Sequence, residues 1–182
     1  GTGKTVMAFH RAQKLSELGQ EPRVVIYNRV LAKYTSAREG LADDAKVTTM
    51  HSWVSSWWRK ALGGRPPMLE GSKYDHDWMA MLRQVMERSN KDPGIASQLS
   101  WGHVIIDEGQ DFSQDMYTML GTILNLEIWQ GVEVPPALTV FADDNQRLQA
   151  QQNSTTDQIA FQLALAEGDG RFFLLKRNFR NT

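Results

Sequence analysis

Short apolar runs and helically spaced apolar positions alternate along the chain. The runs are rich in β-branched residues and cover residues 23–27, 46–49, 103–107 and 137–141. The run at 23–27 is continuous and β-branched, as is typical of a strand buried on both faces of a parallel sheet. Between them, apolar residues recur every three or four positions, as in amphipathic helices. The alternation predicts an α/β fold in which helices flank a doubly wound parallel sheet.

Turn residues set the expected bounds of the helices. Gly19 and Gly40 follow the first two helical stretches, where glycine commonly ends a helix. A last strand is predicted at residues 171–175. The helical stretches are 4–18, 28–39, 53–62, 75–90, 113–125 and 156–167.

Residues 53–100 are predicted to form a helical insertion within this domain. Trp53, Trp57 and Trp58 share one face of its first helix. The helical spacing favours a buried core face. The alternative is a surface that stacks on bases and binds phosphates, because basic residues lie close by. Those basic residues are Arg59, Lys60 and Arg65.

The composition excludes several classes of protein. The 182 residues are 41% hydrophobic and 23% charged, as is usual for one globular domain. The chain has no cysteine and its four histidines are scattered, which excludes a disulfide scaffold, a redox thiol and a zinc site. No apolar run reaches the roughly 20 residues that span a bilayer, and the start lacks the features of a signal peptide. We therefore expect a soluble cytoplasmic protein without a membrane partner.

Charge is unevenly distributed, although the net charge is only −1. Residues 1–91 carry 15 basic and 9 acidic side chains, a balance of +6. Residues 92–182 carry 5 basic and 12 acidic side chains, a balance of −7. A polyanionic partner such as nucleic acid is therefore expected to bind the first half.

The first five residues, GTGKT, match the end of the phosphate-binding pattern G-x-x-x-x-G-K-[ST]. A helix is predicted to begin at Lys4 and Thr5, and the N–H groups at a helix start bind phosphate. Taken alone, the segment is equally consistent with a terminus that has no function. Because the pattern is cut short, we expect residues before Gly1. In a P-loop sheet of this type, they would include a central strand between the strands that end at Asp107 and at Gln146. Without that strand, its place would stay empty, with shifted strands, or would be filled from elsewhere.

A second polar segment, DEGQD at residues 107–111, follows a predicted strand. Ligands of open α/β sheets bind at this end of the strands. In isolation, such acidic residues are more often a solvated turn, but together with the start of the chain they suit nucleotide hydrolysis. Thr5 and Asp107 would hold magnesium, and Lys4 would neutralise phosphate charge. Glu108 would position or deprotonate the attacking water.

The chain resembles the UvrD/Rep-type superfamily 1 helicases over nearly its whole length. The resemblance lies in GTGKT, VVIYNRVLA, VTTMHSW, VIIDEGQD, VFADDNQ and LKRNFRNT, which follow the order of that family's motifs I to IV. The chain differs at Gly109, where the family usually has the alanine of DEAQD, and at Ala142, where glycine is common. The resemblance implies a RecA-like P-loop NTPase domain of a motor that uses ATP and Mg²⁺ to move on single-stranded DNA or RNA.

The resemblance also implies a role for each matching residue around ATP. Thr5 and Asp107 would hold magnesium, and Glu108 would act on the attacking water, as given above. Gln146 would sense the γ-phosphate and Arg180 would contact it, while Phe179 would stack on adenine. The residues that would bind the phosphates are Gly1, Thr2, Gly3, Lys4 and Thr5.

A nucleic-acid site is implied at the ends of the second and third motifs. The family usually also has base-stacking aromatic residues after Gln146, but residues 147–150 read RLQA. The expected partner within the parent chain is a second RecA-like domain that supplies further motifs. We therefore expect the present residues alone to hydrolyse ATP weakly or not at all. The implied nucleic-acid residues are Tyr27, Asn28, Thr49, His51 and Ser52.

Two other functions remain open on the sequence alone. A P-loop kinase or GTPase would share the phosphate loop GTGKT, but the acidic pair, the Gln146 segment and the terminal arginine motif argue against it. A non-catalytic nucleic-acid-binding or scaffold module would keep the fold without turnover. Hydrolysis of ATP that nucleic acid stimulates would separate these classes from a motor.

Overall fold

A computed structural model describes residues 3–27, 46–144, 154–166 and 170–173. One four-stranded sheet lies at its centre, with the strand order β2-β1-β3-β4 and every neighbouring pair parallel. The strands are β1 (Arg23–Ile26), β2 (Lys46–Thr49), β3 (His103–Ile106) and β4 (Ala137–Val140). The helices are α1 (Lys4–Glu17), α2 (Met50–Ala61), α3 (Trp78–Lys91), α4 (Ala96–Leu99), α5 (Gln114–Leu124) and α6 (Thr156–Gln162). The predicted α/β class, with helices flanking a parallel sheet, is confirmed.

The sheet separates two apolar layers because neighbouring residues of a strand point to opposite faces. On one face, Val24 and Ile26 of β1 pack with Phe9 and Leu15 of α1. On the other face, Val25 joins a larger core built from α2, α3 and α5. The helices between β2 and β3 therefore share a core with the sheet.

The tryptophans of α2 belong to this larger core. Trp53, Trp57 and Trp58 are buried, and the indole N–H of Trp57 donates a 2.9 Å hydrogen bond to the carbonyl of Leu99. The core interpretation of these residues is confirmed, and the alternative of a base-stacking surface is wrong for them. The basic residues nearby, Arg59, Lys60 and Arg65, are exposed.

Three sequence predictions about elements need correction or lie outside the described residues. The strand predicted at 171–175 is wrong over residues 171–173, which are turn and coil. The helix predicted at 156–167 already ends at Gln162, whose carbonyl lies close against Gly121 of α5, and Ala164 has a positive φ of 54°. The helix predicted at 28–39 lies outside the described residues.

Within the described residues, β3 and β4 are direct neighbours, paired from His103 with Ala137 to Ile106 with Val140. On its other side, β3 pairs with β1. The expected strand before Gly1, between the strands that end at Asp107 and Gln146, stays a prediction, because its residues would precede this sequence. Among the helices of the described residues, none is long and apolar enough to cross a bilayer.

Candidate functional site

The start of α1 forms one side of the candidate site. Gly3 precedes the helix with a φ of 79°, a left-handed conformation that glycine adopts without strain. A Cβ added at Gly3 would meet no atom within 4 Å, so the backbone here is openly approachable. The first turn of the 14-residue helix carries no acidic residue. This end of α1 thus offers N–H groups and the positive end of the helix dipole to an anion.

Thr5 and Asp107 are brought together as the sequence predicted. The Thr5 hydroxyl donates a 2.6 Å hydrogen bond to Asp107 Oδ2, across 102 positions of sequence. Asp107 directly follows β3 and is only 1% exposed. Burial raises the pKa of Asp107, and the hydrogen bond from Thr5 opposes that rise. The contact joins the start of α1 to the carboxyl end of β3.

Lys4 is buried among carboxylates at the same place. Its side-chain nitrogen lies 3.0 Å from Asp143 Oδ2 and 3.8 Å from Glu108 Oε2. A buried ammonium group requires such partners, because desolvation otherwise disfavours its charge. Asp143 follows β4, so Lys4 connects α1 with the ends of both β3 and β4. The sequence patterns gave no indication of this ion pair of Asp143.

Asp144 binds the start of α6. Its two carboxylate oxygens accept hydrogen bonds from the backbone N–H and the hydroxyl of Thr156, at 2.8 and 2.6 Å. Thr156 is the first residue of α6. Asp144 therefore satisfies a donor at the start of that helix.

The backbone after β3 turns sharply and packs against β4. Glu108 has a φ of 52°, an uncommon conformation for a residue with a side chain. Gly109 donates its N–H to the carbonyl of Phe141 at 2.8 Å, and its own carbonyl accepts the hydroxyl of Tyr117 at 2.7 Å. These bonds fix the turn that presents Glu108 beside Lys4.

The donor set at Thr5 and Asp107 fits magnesium. Mg²⁺ prefers oxygen ligands and is commonly held by one or two protein groups together with water and substrate phosphates. Among the described residues, no group of three or more histidine, cysteine, aspartate and glutamate side chains could hold a metal without such help. The site therefore suits a cation that arrives with a phosphate ligand.

The predicted nucleic-acid residues lie at the other half of the same sheet edge. Tyr27 follows β1 and is 54% exposed, and its ring contacts that of Phe112 edge-on at 5.6 Å. Thr49 ends β2 and caps α2 by accepting the backbone N–H of Ser52 at 3.3 Å. Because all strands are parallel, these residues and Asp107 share one edge. Asn28 lies outside the described residues.

His51 in the first turn of α2 has an unexpected neighbour. Its ring stacks on that of His76, with centroids 4.7 Å apart and planes 10° apart. Within the described structure, both ring nitrogens of His76 are buried without a hydrogen-bond partner. Burial, followed by the proximity of His51, lowers the pKa of His76 from 6.5 to about 4. The histidines are scattered in sequence, but two of them meet in space.

Several predicted site residues lie outside the described residues. Gly1, Thr2, Gln146, Phe179 and Arg180 belong to this group. The structure thus leaves the predicted γ-phosphate and adenine contacts as predictions. It brings together Lys4, Thr5, Asp107 and Glu108 from the two ends of a span of about a hundred residues.

Comparison with known proteins adds no relative. No family model, curated protein or solved structure matches this chain. The functional argument therefore depends on the geometry of the site and on the sequence motifs.

Proposed function

We propose that this chain is the ATP-binding part of a RecA-like motor of the UvrD/Rep type, which uses ATP hydrolysis to move on single-stranded DNA or RNA. The observation that carries the proposal is the 2.6 Å bond between Thr5 and Asp107. It unites a phosphate-loop sequence with an acidic segment at the carboxyl end of a buried strand. P-loop NTPases place a hydroxyl and a carboxylate together in this way to hold Mg²⁺.

The arrangement supports separate roles for the charged residues. ATP phosphates would bind at the start of α1, and Lys4 would exchange part of its contact with Asp143 for phosphate oxygens. Magnesium held at Thr5 and Asp107 would neutralise phosphate charge during the reaction. Glu108 would orient a water molecule and accept its proton. The water oxygen bonds to the γ-phosphorus as the bond to the β–γ bridging oxygen breaks, which releases ADP and phosphate.

The position of the predicted nucleic-acid residues supports the proposed movement on single-stranded DNA or RNA. Tyr27, Thr49 and Ser52 line the ends of β1 and β2, while the nucleotide residues line the ends of β3 and β4. The ring of Tyr27 touches Phe112, which directly follows the acidic segment 107–111. A strand of nucleic acid at Tyr27 would thus lie one side chain away from the nucleotide site. The excess of basic residues in the first half of the chain favours a polyanion there.

The test is hydrolysis of Mg–ATP by the natural protein that carries this sequence, with and without single-stranded DNA or RNA. Lys4→Ala should weaken ATP binding, because a charge that faces the phosphates is lost. Glu108→Gln should keep ATP binding but lower hydrolysis by about 10²-fold or more, because an amide cannot accept the proton. Lys14→Ala is the matched control, since Lys14 lies on the same helix with an exposed side chain that pairs with Glu17.

The outcomes separate the candidate functions. Hydrolysis that single strands stimulate and that Glu108→Gln abolishes supports the motor. ATP binding without hydrolysis in the wild type would favour a non-catalytic module, and phosphate transfer to another acceptor would favour a kinase. Equal ATP binding by Lys4→Ala and Lys14→Ala would show that the phosphate site is misassigned.

A further inference from the structure

Gln110 connects the two carboxylate-bearing segments of the site. It is buried, with 1% of its surface exposed. Its side-chain N–H donates to Glu108 Oε2 at 2.9 Å. Its side-chain carbonyl accepts the backbone N–H of Asp143 at 2.9 Å. A single buried amide thus spans from the turn after β3 to the segment after β4.

The orientation of this amide is fixed by its partners. A carboxylate only accepts hydrogen bonds and a backbone N–H only donates them. If the amide were flipped, its oxygen would face the oxygen of Glu108 and its N–H groups would face the N–H of Asp143. Both contacts would then be repulsive, so only the observed orientation satisfies both segments.

The Glu108 carboxylate has few described contacts that hold its orientation. Its backbone adopts an uncommon positive φ of 52°, and its side chain is only partly buried. The described partners of its carboxylate are Gln110 at 2.9 Å and Lys4 at 3.8 Å. Under the proposed function, Lys4 turns toward the phosphates of ATP. Gln110 is the partner that would continue to hold the carboxylate at that stage.

We propose that Gln110 is a positioning residue for hydrolysis, which holds the Glu108 carboxylate in line with the attacking water and ties it to the backbone of Asp143. This inference rests on the proposed function. Asp143 is also the ion-pair partner of Lys4. A movement of Lys4 toward phosphate would therefore change the position of the Glu108 carboxylate through Asp143 and Gln110. The described hydrogen bonds of the Gln110 side chain go to Glu108 and to Asp143, so Gln110 should affect the chemical step and leave ATP binding unchanged.

Two substitutions separate positioning from a purely structural role. Gln110→Met keeps the length of the side chain but removes both hydrogen bonds. Gln110→Glu keeps an acceptor for the N–H of Asp143, but at pH 8 it places a second carboxylate against Glu108. Gln13→Glu, on the exposed face of α1, is the matched control for the change of amide to acid.

We expect both Gln110 variants to lower the single-turnover rate of ATP hydrolysis by at least about tenfold. The KM for Mg–ATP should stay within about twofold of the wild-type value, because the phosphate contacts are intact. If Gln110 only supported the backbone of Asp143, Gln110→Glu would hydrolyse ATP at the wild-type rate, and the inference would be overturned. Equal losses in binding and rate would overturn it as well.

A measurement that needs no activity checks the contact itself. In the chain labelled with ¹⁵N-glutamine, the side-chain N–H protons of Gln110 should exchange slowly with solvent and should lose this protection in Glu108→Ala. Unchanged protection in that variant would overturn the inference even if the Gln110 variants failed to fold. Absence of hydrolysis in the wild type would instead overturn the proposed function, and with it the role of Gln110 in catalysis.

Discussion

Substitution of Gly109 by alanine gives the sharpest test of the structure around the acidic segment. Alanine is the residue that the resembled helicases usually have there, so the resemblance alone predicts tolerance. In this chain, an added Cβ would collide with Val140 Cγ1, and it would lie 2.8 Å from the hydroxyl oxygen of Tyr117 and 3.3 Å from the carbonyl oxygen of Phe141. The close approach of two backbone segments therefore requires glycine at this position.

The loss of stability in Gly109→Ala can be worked out from the groups that the added methyl group displaces. Overpacking of a well-packed core costs about 1–3 kcal/mol. Moving the segments apart also weakens the bond from the buried Tyr117 hydroxyl to the Gly109 carbonyl, worth about 1 kcal/mol. Burial raises the pKa of Tyr117, so its hydroxyl stays a donor throughout the usual pH range. A total of about 2–4 kcal/mol is a large share of the roughly 5–15 kcal/mol that stabilises a domain.

Urea and thermal unfolding followed by circular dichroism measure this loss. At about 2–4 °C for each kcal/mol in a chain of this size, Gly109→Ala should lower the Tm by roughly 4–16 °C. Gly170→Ala is the control, because a Cβ added at Gly170 meets no atom within 4 Å and its stability should change by no more than about 0.5 kcal/mol. Combining Gly109→Ala with Val140→Ala should cost less than the sum of the two changes, since one clash is relieved. Equal stability of Gly109→Ala and the wild type would refute the packing argument.

Two further predictions concern stability away from this segment. The pKa of His76 is about 4 in the folded state, against 6.5 for an unperturbed ring. Between these pH values the unfolded state binds more protons than the folded state. The free energy of unfolding therefore falls as the pH drops through this window, by about 2 kcal/mol at pH 5. His76→Phe should flatten this part of the unfolding-versus-pH curve, whereas an unchanged slope would assign the loss to other groups. Trp57→Phe removes the indole bond to the carbonyl of Leu99 inside the core and should cost about 1–3 kcal/mol by urea unfolding. Trp129→Phe removes a similar bond at a half-buried position and should cost less; equal losses would contradict the importance of burial.

The two central strands, β1 and β3, were predictable because they are short, apolar and largely buried. Val24, Val25, Ile105 and Ile106 have no alternative to the interior, so a run of such residues marks a central strand whatever surrounds it. The end of α1 was predictable for a local reason too, since Gly19 adopts the left-handed conformation that ends a helix. Both signals lie within a few residues of the structure that they specify.

The strand order is less accessible from the sequence. The expected place of a preceding strand, between β3 and β4, came from the usual layout of a P-loop sheet and not from a side-chain pattern. Pairing of His103–Ile106 with Ala137–Val140 depends on backbone hydrogen bonds, which any strand of matching length can make. Side-chain patterns along one strand carry no information about which neighbour it pairs with.

In the candidate site, too, local sequence predicts some contacts and not others. Thr5 and Asp107 could be named because a phosphate loop and a carboxylate after a strand have a fixed chemical relation. Asp143 could not be assigned to Lys4 in this way, because 139 positions separate them and a pair of acidic residues after a strand is usually solvated. Only the sheet order, which places the end of β4 beside that of β3, brings this carboxylate to the lysine.

The position of Gln110 shows why local sequence can name the groups of a site but not their coupling. The residue lies inside the acidic segment, so its proximity to Glu108 follows from the sequence alone. Its bond to Asp143 exists because β4 runs beside β3 and because Gly109 lets the two segments approach. Widening that approach with a methyl group at Gly109 would therefore separate the carbonyl of Gln110 from Asp143 as well as strain the core. On this reasoning, a Gly109→Ala protein that still folds should lose the chemical step more than ATP binding, as the Gln110 variants do.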